Sequence, residues 1–263
     1  YTGTTLVSAG SLTVAAGGSL GTGTVTVSGT GVVDLGEQAV ANSFVVNGGS
    51  LRGGVVSVAN LTGSSGAVSS ELNGAGSFSK SGTGTLTFSG NNTYTGGTTI
   101  TAGTLTLGSA TALGTGAVTL TGGTLNLNGQ VINNNLTLGA GLIGGSGTLA
   151  GVVSGTAAFT KSGTTTLVLN GLNTYSGGTT ITAGVLTVGT TTALGSGAVT
   201  LTGGTLNLNG QTIGNDLTLG AGVIDGSGTL TGVISGASAF SKSGSGTLPF
   251  TRNNTYSGGT TIS

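Results

Sequence analysis

Residues 81–108 read SGTGTLTFSGNNTYTGGTTITAGTLTLG, and residues 162–189 read SGTTTLVLNGLNTYSGGTTITAGVLTVG. A third copy starts at Ser243 and is followed as far as Ser263. In each copy, apolar residues alternate with small polar ones, as in Thr85-Leu86-Thr87-Phe88 and Thr104-Leu105-Thr106-Leu107. A period of two turns one set of side chains inward and the other outward, which is the signature of half-buried strands. Gly-rich corners and an Asn-Thr-Tyr turn separate the runs. The stretch therefore predicts short strands joined by tight corners.

Working outward, the same chemistry recurs at a fixed interval. Lys80, Lys161 and Lys242 are 81 residues apart, as are Tyr94, Tyr175 and Tyr256, and Phe78, Phe159 and Phe240. The run AVTLTGGTLNLNGQ occurs identically at 117–130 and 198–211. The first unit is longer and more divergent, yet YTGTTLVSAGSLTV at 1–14 lines up with 94–107 less one glycine; the surplus falls between Glu37 and Asn73. Inside each unit runs a finer beat of roughly 20 residues, the period range of solenoids.

Strands this short bury too little as isolated hairpins. They bury enough when successive coils stack about 4.8 Å apart around one continuous interior. The expected fold is all-β, a right-handed parallel β-helix (β-solenoid) of about 13 coils of roughly 20 residues. A left-handed hexapeptide helix is the alternative, because 136–147 has a six-residue beat, but that beat does not persist. The expected organisation is a single β-solenoid segment over 1–263, with units at approximately 1–80, 81–161 and 162–242 and a partial one at 243–263. It reads as part of a longer chain or fibre.

Composition narrows the function. Five Lys and Arg balance five Asp and Glu, with 58 glycines, one proline and no His, Cys, Met or Trp. A neutral chain without a basic cluster argues against nucleic acid, whose binding rests on neutralising phosphates. No run approaches the ~18 apolar residues of a membrane helix, and the strand runs are shorter than the ~9–11 residues of barrel strands. Direct membrane insertion of this segment is therefore not expected. Tyr1-Thr2-Gly3 has neither a positive region nor an apolar core. A secreted origin thus requires a signal that was removed or lies outside the segment. Lack of cysteine decides nothing about compartment.

The 28-residue stretch and its copies resemble the passenger-associated repeat of autotransporter proteins, in which Gly-Thr-Leu leads to an Asn-Thr-Tyr turn, then Gly-Gly-Thr, Ile and Gly-x-Leu. The likeness covers the rest of the chain with lower specificity. It implies a bacterial passenger exported across the outer membrane to the cell surface or beyond, with the repeat tied to secretion and folding rather than to catalysis.

The candidate chemistry is sparse. The acids are Asp34, Glu37, Glu71, Asp216 and Asp225. Asp34 and Glu37 fall near one corner, while Asp216 and Asp225 fall on different faces. Asp216 and Asp225 stand where the preceding unit has Asn135 and Gly144, so the repeat does not require them. Gly144-Gly145-Ser146-Gly147 lacks the acid that a calcium-binding nonapeptide needs. No residue is assigned to catalysis, a cofactor or a metal. The lysines read as charges that solubilise a turn or discourage lateral sheet pairing. Pro249 removes a ladder donor and should weaken the last coil. Tyr94, Tyr175 and Tyr256 are candidate surface contacts, with packing on a neighbouring coil the plainer role. Sequons begin at Asn60, Asn91, Asn135 and Asn253. The expected function is a non-catalytic stalk or fibre for adhesion or self-association, end to end or lateral. Its expected partners are itself and host or biofilm glycans. Glycan- or ice-binding through Thr-x-Thr runs at 24–26, 85–87 and 104–106 is the alternative, although such runs do not read as occupying one face on every coil. A polysaccharide-degrading β-helix is the remaining one.

Overall fold

A computed structural model describes residues 1–263 and contains strands and corners with no helix. The chain forms two compact units, 1–130 and 131–263. Every strand pair is parallel, and counted over both units the chain makes about 14 turns of about 19 residues. A parallel β-solenoid is what the alternating pattern calls for, because each coil alone leaves its edges and its apolar side chains uncovered.

In the first unit, one face stacks Ser77–Lys80, Thr98–Ile100 and Val118–Leu120, with Thr98 beside Phe78 and Val118. The next face stacks Thr85–Phe88, Thr104–Leu107 and Thr124–Asn126, aligning Leu86, Leu105 and Leu125. All three leucines are fully buried, each contributing about 1.5–3 kcal/mol by leaving water. The third side carries Ala39–Val40, Val55–Ser57 and Glu71–Asn73. In the divergent N-terminal repeat, strands Val25–Asp34, Phe44–Arg52 and Asn60–Val68 run across a corner, with register shifts where they bend.

The second unit repeats this scheme. Phe159–Lys161, Thr179–Ile181, Val199–Leu201, Leu217–Leu219 and Ile234–Ser235 form one face. Thr166–Leu169, Val185–Val188, Thr205–Asn207, Val223–Asp225, Phe240–Lys242 and Thr260–Ile262 form the next. The two strands that end in lysine thus lie on different faces. From Lys161 the chain makes four turns and one further face before it reaches Lys242, so the 81-residue repeat is out of phase with the coil by one face.

Pro249 has the local effect expected of it. Thr85–Phe88 and Thr166–Leu169 pair along four residues, whereas 247–250 keeps a single bridge, Phe250 to Leu230. The corners of LNLNGQ hold the two non-glycine residues with positive φ, Asn128 at 49° and Asn209 at 48°. The side-chain oxygen two residues earlier, on Asn126 or Asn207, accepts the N–H of each.

Candidate functional site

The repeat carries its chemistry inward. Strand alternation in Phe159-Thr160-Lys161 puts Phe159 and Lys161 on the same buried side, and Lys161 is 1% exposed. Lys80 and Lys242 are likewise buried. This corrects the expectation of a solvated charge that guards a sheet edge. The Lys161 ammonium donates to the carbonyls of Ser162 at 2.9 Å and Gly163 at 2.8 Å in its own corner, and of Ala183 at 3.2 Å one coil on. Lys80 does the same with Ser81, Gly82 and Ala102, and Lys242 donates to the Ser243 and Gly244 carbonyls. Desolvation pushes the Lys80 and Lys161 ammonium groups below the usual lysine value, while carbonyl acceptors on three sides hold the proton in place. An ammonium has three donors and no acceptor, so it suits three converging carbonyls.

The corner opposite the lysine must be glycine. Gly184 has φ +67°, and a Cβ there would meet the Gly163 carbonyl at 2.3 Å and Lys161 Nζ at 2.6 Å. Gly103 stands in the same relation to Lys80.

The Asn-Thr-Tyr turn is a second fastening. Asn173 is buried; its Oδ1 accepts the Val153 N–H at 2.8 Å from the coil before, and its Nδ2 donates to the Ala193 carbonyl at 2.7 Å in the coil after. Asn92 joins Leu72 and Ala112 in the same manner. One side chain therefore spans three coils, standing in for a ladder bond where the backbone turns. Tyr175 follows two residues later, packs on Phe159 with ring centroids 5.7 Å apart, and shares a 2.7 Å hydrogen bond with the buried Thr179 hydroxyl. Tyr94 pairs with Thr98 in the same way. Burial raises both tyrosine pKa values above the ordinary range.

Two of the three tyrosines expected as surface contacts are turned inward. Tyr94 and Tyr175 have no exposed surface, so neither can touch a partner while the coil is closed. Tyr256 is half-buried, with its hydroxyl near Thr260. Packing on a neighbouring coil is the role the fold gives the two buried rings.

The acids are engaged separately. Asp34 accepts the Gly36 N–H at 2.9 Å and pairs with Arg52 at 3.0 Å. The Gly36 bond, with Arg52 adding to it, holds its carboxyl below the usual value. Asp216 accepts the Val233 N–H, and Asp225 accepts from Ser243 and Asn207. Glu37 and Glu71 are exposed. Asp216 does what Asn135 does for Val152, which explains why the repeat tolerates either residue there.

One outward feature is not visible in the Thr-x-Thr runs. In the second unit Thr160, Thr180, Thr200 and Thr218 pair in register, followed by Ser235, so one face carries a hydroxyl on five consecutive coils. Counting Thr-x-Thr runs hid this, because the ladder is built from one threonine per coil.

Residues 78–107, 159–188 and 240–263 match the passenger-associated-transport-repeat family. Comparison with curated proteins and with solved structures gave no match. The matched spans contain Lys80 and Lys161 and the Asn-Thr-Tyr turns, so the family's pattern coincides with the buried fastenings.

Proposed function

From an autotransporter-passenger-type β-helix that carries three transport repeats, we propose a non-catalytic structural segment of an exported bacterial surface protein. It acts as a stalk or fibre on which adhesion or self-association takes place. The observation that carries this reading is the use made of the repeat's polar residues: Lys161, Asn173 and Tyr175 are all turned inward, the first two bonded to neighbouring coils and the tyrosine ring packed on Phe159 of the coil before. A repeat that invests its distinctive side chains in stiffness fits a spacer better than a ligand site. The outward faces are sparsely charged and rich in Thr, Ser and Asn, a surface suited to contact with other copies of the chain and with uncharged glycans.

Purified chain should show a scattering mass that rises with concentration, and cells displaying it behind an export signal and barrel should clump or adhere to glycan-coated surfaces. A strictly monomeric profile together with non-adherent cells would remove the reading. A broad polysaccharide panel should show no cleavage; any turnover points to the enzymatic alternative.

The in-register hydroxyl ladder through Thr160, Thr180, Thr200 and Thr218 favours a second reading, a module that binds a regular hydroxylated surface such as a glycan chain or ice. Thermal hysteresis and glycan binding that both disappear in Thr180→Lys would support it, and absence of both activities in the parent chain would end it.

A further inference from the structure

Four Asn-x-Thr triplets begin at Asn60, Asn91, Asn135 and Asn253. In every one the first and third side chains are exposed. The middle residue turns inward: Leu61, Asn92 and Leu136 are buried and Asn254 is half-buried. Extended backbone produces this arrangement, since residues i and i+2 share a side. The amide and the hydroxyl that a sequon-reading enzyme must recognise together are therefore side by side on the outer surface.

The amide nitrogens are also uncommitted. Asn91 accepts from the Thr111 hydroxyl at 3.2 Å and Asn135 accepts from the Val152 N–H at 3.0 Å, in both cases through Oδ1. Neither those residues nor Asn60 or Asn253 donates a hydrogen bond from Nδ2. The fastening asparagines differ on each count. Asn92 and Asn173 are buried, their Nδ2 groups are bound to the Ala112 and Ala193 carbonyls, and tyrosine follows at the second position. A one-residue step in frame thus separates structural asparagines from accessible ones.

We propose that Asn60, Asn91, Asn135 and Asn253 are acceptor sites for N-linked sugar, taking a hexose from a nucleotide-activated donor through a sequon-reading glycosyltransferase. In the transfer, the Asn Nδ2 attacks the anomeric carbon and forms the N-glycosidic bond. The anomeric C–O bond to the diphosphate breaks, the nucleoside diphosphate leaves with the bonding pair, and the amide nitrogen gives up one proton to the enzyme's base. Oδ1 remains free to accept, so the bonds from Thr111 and Val152 survive the modification. The sugars add polar bulk to sparsely charged outer faces without displacing a core side chain. This proposal does not depend on what the stalk contacts.

The test uses the folded 263-residue chain, a sequon-specific bacterial N-glycosyltransferase, UDP-glucose, and an acceptor peptide in the same reaction to report enzyme activity. Intact mass should rise by one to four hexoses, and glycopeptide mapping should place them on the four named asparagines. Asn60→Gln, Asn91→Gln, Asn135→Gln and Asn253→Gln should each remove one site, as should Thr62→Ala for the first. Hexose found only on Ser or Thr, or on Asn92 or Asn173, would overturn the proposal. So would a folded chain that stays unmodified while the acceptor peptide is labelled, whether or not the heat-unfolded chain takes sugar.

Discussion

At the scale of single residues, the informative side chains are polar ones in the wrong place. A buried lysine is rare because its charge must be matched, and Lys161 is matched by three carbonyls from two coils. Lys161→Met keeps most of the volume but leaves those carbonyls without their donor; it should destabilise by about 1–3 kcal/mol, read as a lower denaturant midpoint. Gly184→Ala should cost about 2 kcal/mol or more, since it adds left-handed strain and collides with the Gly163 carbonyl. The buried tyrosines set an alkaline limit. Their folded pKa values lie above the ordinary 10.0, so above that pH the unfolded chain releases protons that the folded chain retains, and stability falls as pH rises. Desolvated Lys80 and Lys161 act in the opposite sense as pH climbs toward 10.5, which makes the double variant Tyr94→Phe, Tyr175→Phe the useful control. It should lose less stability than the parent between about pH 9 and about pH 11. The interval of the lysines was legible in the sequence, but their direction was not, because lysine is ordinarily an outside residue. The signal was present in Phe159-Thr160-Lys161, where period two places the lysine on the side of the phenylalanine.

At the scale of strands and corners, the sequence was largely readable. The runs at Thr85–Phe88, Thr104–Leu107, Val118–Leu120, Thr124–Asn126 and Leu136–Leu138 are all strands with leucine inside. Alternation fixes which face is buried, and a one-residue slip would expose the whole set. What the pattern hid was pairing between coils, which depends on residues about 19 positions apart; hence the threonine ladder emerged only with the register. Pro249 offers a test of pairing at this scale. Pro249→Thr, which copies Thr87, should restore a strand at 247–250 and slow amide exchange there, whereas Val168→Pro should erase protection across Thr166–Leu169. Unchanged exchange in both variants would mean that the proline does not control the pairing.

At the scale of the molecule, the repeat advances by four turns and one face, so a feature that recurs every 81 residues reappears on a neighbouring face. The fastening is therefore not confined to a single seam of the second unit. Cysteine pairs can report this cleanly because the chain has no cysteine of its own. Ile224 pairs with Lys242, so Val223→Cys and Ser241→Cys should be joined by a short bismaleimide, while Thr218→Cys and Ser241→Cys should not, because Ser235 holds the place above Thr218. The reverse result would put the repeat in phase with the coil.

The central claim is that the transport repeat is a fastening between coils. Hydrogen exchange on Lys161→Met tests it most directly. The account predicts loss of protection at the Thr182 and Val185 amides, which bond to the Lys161 and Thr165 carbonyls around the lysine's corner, and in the adjoining strands Thr166–Leu169 and Thr179–Ile181, with Leu217–Leu219 unchanged. Protection equal to that of the parent chain at all of these positions would contradict it.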